Sequence, residues 1–385
     1  MIPNPVLGVF LHWLGGLASA SFYVPYRAVQ RWSWETYWLV GGFFSWIIAP
    51  WILAVVLTRD LFRVLAETPL HTLFWVIFFG LLWGVGGLTF GLTMRYLGLS
   101  LGMAVVLGLC AAFGTLMPPV FSGVFVSQVL GTISGRVILA GVFVCLLGIS
   151  AAGVAGIYKE RRMSQANKKA AIKEFDLQKG LLVATLSGVM SACFAYGLAA
   201  GSPIKALALR HGTPVLWQGL PVLVVVLIGG FTTNFVWCVA LNIKNKSGFE
   251  YFTGHAQRSR NLRDESIDAP SQAVVPDLPS AATADPQSVP LLMNYLLSGL
   301  AGTTWYFQFF FYTMGETQMG RYGFSSWTLH MASIIIFSTL WGLGFREWAG
   351  AGRAAMRFLT LALVLLVGST LIVGYGNFLA AAGTH

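Results

Sequence analysis

Ten long, mostly apolar stretches recur along this 385-residue chain, and no other feature limits its fold so severely. About 20 apolar residues in a helix reach across the hydrocarbon core of a bilayer. The stretches cover 5–25, 36–57, 72–95, 99–122, 134–156, 177–199, 215–242, 291–314, 324–345 and 355–381. They are continuously apolar rather than alternating, and too long for barrel strands. Each is expected as a helix that satisfies its own backbone groups. The predicted fold is therefore all-α: a polytopic membrane protein with ten transmembrane helices. Composition agrees, since 10% of residues are charged, against about 25% in a soluble domain. The N-terminal segment has no basic region ahead of its apolar core and no clear cleavage site, so it is expected as a retained first span.

The net charge of +10 follows the gaps between the stretches rather than one face. That distribution argues against nucleic acid and for topology signals and anionic lipid headgroups. When gaps and termini are numbered alternately, one set holds 18 of the 24 basic residues: Arg27, Arg31, Arg95, the Lys159–Lys179 cluster, Lys244 to Arg263, and Arg346 to Arg357. The positive-inside rule places that set in the cytoplasm. With ten spans, both termini are then expected outside, in the periplasm of a bacterial inner membrane. Cys110, Cys145, Cys193 and Cys238 each stand alone in an apolar run, without metal-ligand or redox spacing, and are read as packing residues.

Two halves are expected. Residues 1–158 form a first five-helix half, 159–176 a basic cytoplasmic connector, and 177–385 a second five-helix half. The segment 244–290 is rich in Pro, Ser, Ala and Asp and is expected as a disordered loop. The heptapeptide GVMSACF at 188–194 echoes GLASASF at 16–22, five spans earlier. Five is odd, so the halves would be inverted with respect to each other, an architecture that places substrate between them.

An ionisable side chain within a span is costly and is a functional candidate by default. No Asp or Glu sits mid-span, but His12 lies in the first stretch and His330 in the ninth. Each is about two turns in, on the order of 10 Å below the outer surface. Gln308 reaches a similar depth in the eighth stretch, with Trp305 and Tyr306 just below it. These groups suit a sugar: hydroxyls need convergent partners such as Gln308, Asn234 and the histidines. The apolar face of a sugar rests on a ring such as Trp305 or Trp327. The competing reading makes the histidines interhelical hydrogen-bond glue and the tryptophans packing residues. For the proton, the candidates are His12, His330 and Glu35, since histidine titrates near neutrality. Glu35 with Arg95, joined by Glu347, is expected as an inner gate; the alternative is a helix-end ion pair with no transport role. No catalytic motif or metal set is present, so neither an enzyme nor a cofactor is expected.

Several motifs resemble those of the bacterial L-rhamnose–proton symporter family. They are HWLG at 12–15, ASASFY at 18–23, WSWET at 32–36, GG at 41–42 through SW at 45–46 to PW at 50–51, and GLTMRYLG at 91–98. WYFQFFFY at 305–312, SW at 326–327, LHM at 329–331 and EW at 347–348 complete the set. The resemblance implies membership of the drug/metabolite transporter superfamily, ten helices in two inverted repeats, and inward transport of L-rhamnose, or a related sugar, coupled to a proton. The 244–290 loop is longer than the family pattern. The competing function on the same scaffold is export of drugs or metabolites.

Overall fold

The computed structural model describes residues 3–162, 176–253 and 289–382; the side chains of Arg95 and Leu99 are not among those described. The described secondary structure is all helical. Ten long helices follow the ten stretches: α1 (Pro5–Ser21), α2 (Trp34–Leu57), α3 (Leu70–Leu97), α4 (Leu99–Phe121), α5 (Ile133–Arg161), α6 (Leu177–Ala200), α7 (Leu220–Asn245), α8 (Leu291–Thr317), α9 (Ser326–Gly344) and α10 (Gly352–Ala382). Nine of these are long and apolar enough to cross a membrane. The exception is α8, whose 27 residues carry Asn294, Ser298, Gln308, Thr313 and Glu316.

Local chemistry sets the helix ends. The side chains of Asn4, Thr132 and Asp176 accept hydrogen bonds from the first free amides of α1, α5 and α6, which would otherwise be unpaired. Gly98, at φ 78°, turns the chain between α3 and α4 in one residue, a conformation that other residues rarely adopt. Within α2, Phe43–Ile48 forms a π-helical turn just ahead of Pro50. Proline has no N–H to give and its ring crowds the preceding turn; the widened turn takes up that conflict without ending the helix.

Packing brings distant helices together. α1 lies against α8 and α9, α2 against α8, α3 against α6 and α7, and α4 against α5 and α6. α9 lies against α10, and α5 runs along α10. Close approaches depend on small residues: a Cβ on Gly302 of α8 would meet the Gly41 backbone of α2, and one on Gly229 of α7 would meet the Ile77–Leu81 backbone of α3.

The loops gather at two ends. At one end Arg27 pairs with Glu347 at 2.7 Å, the Ser33 amide donates to Glu250 at 2.7 Å, and Lys159 lies 4.8 Å over the Trp348 ring. At the other, the Asn4 amide donates to Gln318 at 3.2 Å, Arg59 meets Thr213 at 3.1 Å and Asn377 meets Ser325 at 3.0 Å. α8 connects the two: Asn294 near its start bonds Gln30, and Gln318 just past its end bonds Asn4. The first and last helices have their outer tips at the same end.

One expectation is corrected. The start of the segment expected as a disordered loop is ordered: α7 continues to Asn245, and after a two-residue turn Gly248–Tyr251 forms a 3-10 turn. The turn is held because Glu250 accepts from Ser33 and the Tyr251 hydroxyl accepts from Asn242 at 3.1 Å. Residues 254–288, and 163–175 of the basic connector, lie outside the described residues.

The Gly41–Gly302 contact makes a sharp test. Gly302→Ala forces a methyl into unyielding backbone and should cost about 1–3 kcal/mol, read as a lower unfolding midpoint in detergent. Gly87→Ala, with nothing within 4 Å of the added carbon, should leave that midpoint unchanged. Equal midpoints for both variants would show that the α2–α8 approach is not close.

Candidate functional site

The residues of α8 at 305, 308, 309 and 312 share one face, because a helix advances about 100° per residue. That face meets α1 and α9. The Tyr312 ring sits between the two histidines, with centroids 5.3 Å from His12 and 5.3 Å from His330, edge-on to both. Trp327 closes the cluster, 5.7 Å from Tyr312 and 6.0 Å from His330. Its indole N–H donates to the Cys110 carbonyl of α4 at 3.0 Å, which fixes the ring. The Ser333 hydroxyl meets both the His12 carbonyl at 2.9 Å and the His330 carbonyl at 2.8 Å, tying α1 to α9 behind the rings.

Both imidazoles are fully buried, and none of their four nitrogens has a hydrogen-bond partner in the protein. The Gln308 amide nitrogen and the Tyr306 hydroxyl are likewise buried and unpaired. Buried polar groups are normally satisfied, and leaving one unmade costs roughly 1–3 kcal/mol. The histidines are therefore not interhelical glue. His12 and His330, which share the Tyr312 ring, are the unpaired groups that the structure brings together most directly.

About two turns along α8 from Tyr312, Trp305 stands edge-on to Trp46 at 5.4 Å and stacks on Trp83 at 5.8 Å. Phe309 links the two groups, 5.0 Å from Trp305 and 6.0 Å from His330. A small cavity of about 10 Å³ lies here between α1, α2 and α8, lined by Phe22, Tyr26, Trp38, Ser45, Trp46 and Trp305. Its walls are ring faces and edges, the surface that the apolar side of a sugar takes.

The residues singled out in sequence thus fall into groups. His12, His330 and Trp327 meet directly. Gln308 and Trp305 lie on the same face of α8. Asn234 joins through Trp38, whose indole donates to it at 3.3 Å at the cavity's edge. Tyr306 stands apart, about 120° around α8 from Tyr312, beside Phe307 and Phe310. Sequence reasoning missed Tyr312, Trp46, Tyr26 and Trp38. The signal for Tyr312 was present: it sits four residues after Gln308 and seven after Trp305, on one helical face.

At the end that holds Arg27, Glu35 is buried and accepts from the Ser247 hydroxyl at 2.6 Å and the Asn245 amide at 3.1 Å. Glu347 pairs with Arg27. The Arg95 side chain lies outside the described ones, and with it the expected Glu35–Arg95 pair. Glu250, on the 3-10 turn, accepts from the Ser33 amide and hydroxyl at 2.7 and 2.8 Å. Burial pushes its carboxyl above the usual range, with the Glu35 charge adding to the effect.

These features define a multi-pass α-helical membrane protein with an enclosed set of unpaired polar groups at its centre. The family model described as L-rhamnose-proton symport protein (RhaT) matches residues 1–250 and 278–380. The L-rhamnose-proton symporters of Salmonella newport and Salmonella agona are each 36% identical to this chain over 371 residues, covering 96% of this chain and 97% of theirs. This chain belongs to the L-rhamnose–proton symporter family. The match passes over 251–277, within the segment expected as an insertion.

The Glu250 contact carries a pH dependence. A carboxyl raised above its unfolded value binds more protons when folded, so docking of the turn is strongest at low pH and weakens as pH rises through the window above the ordinary carboxylate range. Glu250→Gln should remove that slope. Hydrogen exchange of the Gly248–Tyr251 amides, measured against pH, reads it; a wild-type slope retained in the variant would assign it to another group.

Proposed function

We propose that this chain imports L-rhamnose, or a closely related sugar, together with a proton across the bacterial cytoplasmic membrane by alternating access. The observation that carries the reading is the pair of fully buried, unpaired imidazoles that share Tyr312, about two turns along α8 from the ring-lined cavity at Trp46 and Trp305. Unpaired ring nitrogens are free to receive a proton or a sugar hydroxyl, and each outcome stabilises a different arrangement of α1, α8 and α9. A symporter needs that difference, because a ligand shifts a conformational equilibrium only by its differential affinity. His12 and His330 carry the proton in this reading. The sugar lies between them and the tryptophans, with Gln308 and Asn234 as further hydrogen-bond partners. Family membership favours sugar import over drug export on the same scaffold, and transport over catalysis.

Three structural proposals belong to this function. The chain crosses ten times, α8 included, since α8 runs from one end of the bundle to the other. The basic end faces the cytoplasm, so both termini face out. The halves 1–158 and 177–385 are inverted repeats, and the packing supports this. Adding five to each helix number converts the α1–α8 contact into α6–α3, α1–α9 into α6–α4, α2–α8 into α7–α3, and α4–α5 into α9–α10, while α5–α10 maps onto itself. The sequence echo obeys the same relation: Gly16 approaches Ser333 on α9, and Gly188 approaches Leu109 and Cys110 on α4.

The test is uptake of labelled L-rhamnose by proteoliposomes with an imposed inward proton gradient. Accumulation above equilibrium, abolished by an uncoupler and unmatched by unrelated sugars, is expected. His330→Ala should abolish proton-driven accumulation. Normal coupled uptake in that variant would remove the histidine pair from the mechanism, and no rhamnose uptake by folded wild-type protein would reject the sugar.

A further inference from the structure

A second cavity, about 200 Å³, opens at the end of the bundle where Asn4 meets Gln318. Lys205, Gln218, Thr313, Glu316 and Thr317 line it, and Gly219, Gly320 and Gly323 leave it room. Lys205 lies on the short helix Ser202–Arg210 that follows α6, while Thr313, Glu316 and Thr317 belong to the last turns of α8. The Lys205 ammonium donates to Glu316 at 2.7 Å, with the two side chains only 17% and 23% exposed.

We propose that this cavity is an entry subsite for a neutral polyhydroxyl ligand, in which the Lys205–Glu316 pair and Gln218 supply the hydrogen bonds and Tyr312 is the partition between it and the histidines. The inference rests on the sugar-symport reading and deepens it.

The donor and acceptor inventory fits. An ammonium has three N–H donors, of which Glu316 takes one. The second carboxylate oxygen of Glu316 and the Gln218 amide add acceptors and donors. The Thr313 and Thr317 hydroxyls donate back to the Phe310 and Met314 carbonyls at 3.1 and 2.7 Å; the Thr317 oxygen already accepts from the Gln318 amide at 2.9 Å, and each oxygen keeps a lone pair for a ligand. A sugar hydroxyl both gives and takes, so it can join such a set without displacing either charge. An anion or cation would have to break the pair, and a half-sheltered charge without its partner is costly. The ion pair is poorly explained as a stabiliser, because pairs near a surface contribute roughly 0–1 kcal/mol. Continuity with the inner site is covalent. Thr313 follows Tyr312, whose ring touches both histidines, and Gly315 lies against the His12 ring. Glu316, which lines the cavity, lies one helical turn beyond Tyr312 on α8, and in this proposal movement of the Tyr312 ring joins the cavity to the histidines.

The test uses accessibility and kinetics together. Thr317→Cys is made in the full chain, whose four native cysteines are buried. A membrane-impermeant maleimide added to intact cells should label it, and L-rhamnose should slow the labelling. Labelling that the sugar does not slow, or labelling seen only after solubilisation, overturns the subsite. Separately, Glu316→Gln and Gln218→Ala should each raise the uptake KM by about ten-fold, as loss of one hydrogen bond to a charged or polar partner implies, with most of Vmax kept. Unchanged KM in both variants overturns it as well. Failure of the wild-type protein to take up L-rhamnose strikes instead at the symport reading.

Discussion

Everything in this molecule answers to the lack of water inside a bilayer. Backbone amides and carbonyls with no solvent to bond must be satisfied within their own helix, which is why the described structure is helices and short connections. Hydrophobicity cannot then pull one helix to another, because lipid is as apolar as leucine. Association falls to close van der Waals fit and a few polar ties. Glycines supply the fit: Gly41 meets Gly302 between α2 and α8, and Gly80 meets Gly229 between α3 and α7. Side-chain bonds supply the ties, such as Thr115 with Thr328 at 2.7 Å between α4 and α9.

Against that economy the centre is an exception. Two imidazoles and the Gln308 amide are buried without hydrogen-bond partners in the protein, in the setting where an unmade bond costs most. The surrounding rings hold them in place: Tyr312 between the histidines, Trp327 anchored on the Cys110 carbonyl, and Phe309 leading to Trp305 and Trp46. In the proposed site the aromatic walls are rigid faces for a sugar, and the unpaired nitrogens are its hydrogen-bond partners. The cost of the site is carried by the packing of α1, α8 and α9 around it. Those helices also carry the Ser333 tie and the Gly315 approach, so a change at the rings is felt at the helix contacts.

Much of the fold was legible without coordinates. Continuous apolar runs of membrane-spanning length announce helices, and a long helix follows each run within a few residues, nine of them long and apolar enough to cross a membrane. The exception is instructive: the eighth run, expected as a span, is the one long helix whose hydropathy falls short of the other nine, and it carries Gln308 among the buried residues of its inner face. At the site, His12 and His330 were legible because ionisable groups within an apolar run stand out. Tyr312 was missed although its spacing from Trp305 and Gln308 places it on their helical face, because a tyrosine among phenylalanines stands out only when that face is drawn. Glu250 was hidden for a different reason. It lies at the start of a polar, Pro- and Ser-rich segment whose composition reads as loop, and its order depends on Ser33, which is 217 residues away in sequence.

By itself, the sequence determined the solvent of this protein, the helical class, the basic end and the few polar residues that apolar runs cannot explain. These are local properties, set by each residue's own transfer energy and the period of a helix. Only the tertiary structure decided which of those residues meet. It put His12 and His330 on either side of one ring, moved Tyr306 away from them, paired Glu347 with Arg27, and set Lys205 against Glu316 at the mouth of a cavity. The physical reason is that helix pairing in a membrane depends on the shape of whole faces, and a face is assembled from residues that no local pattern connects.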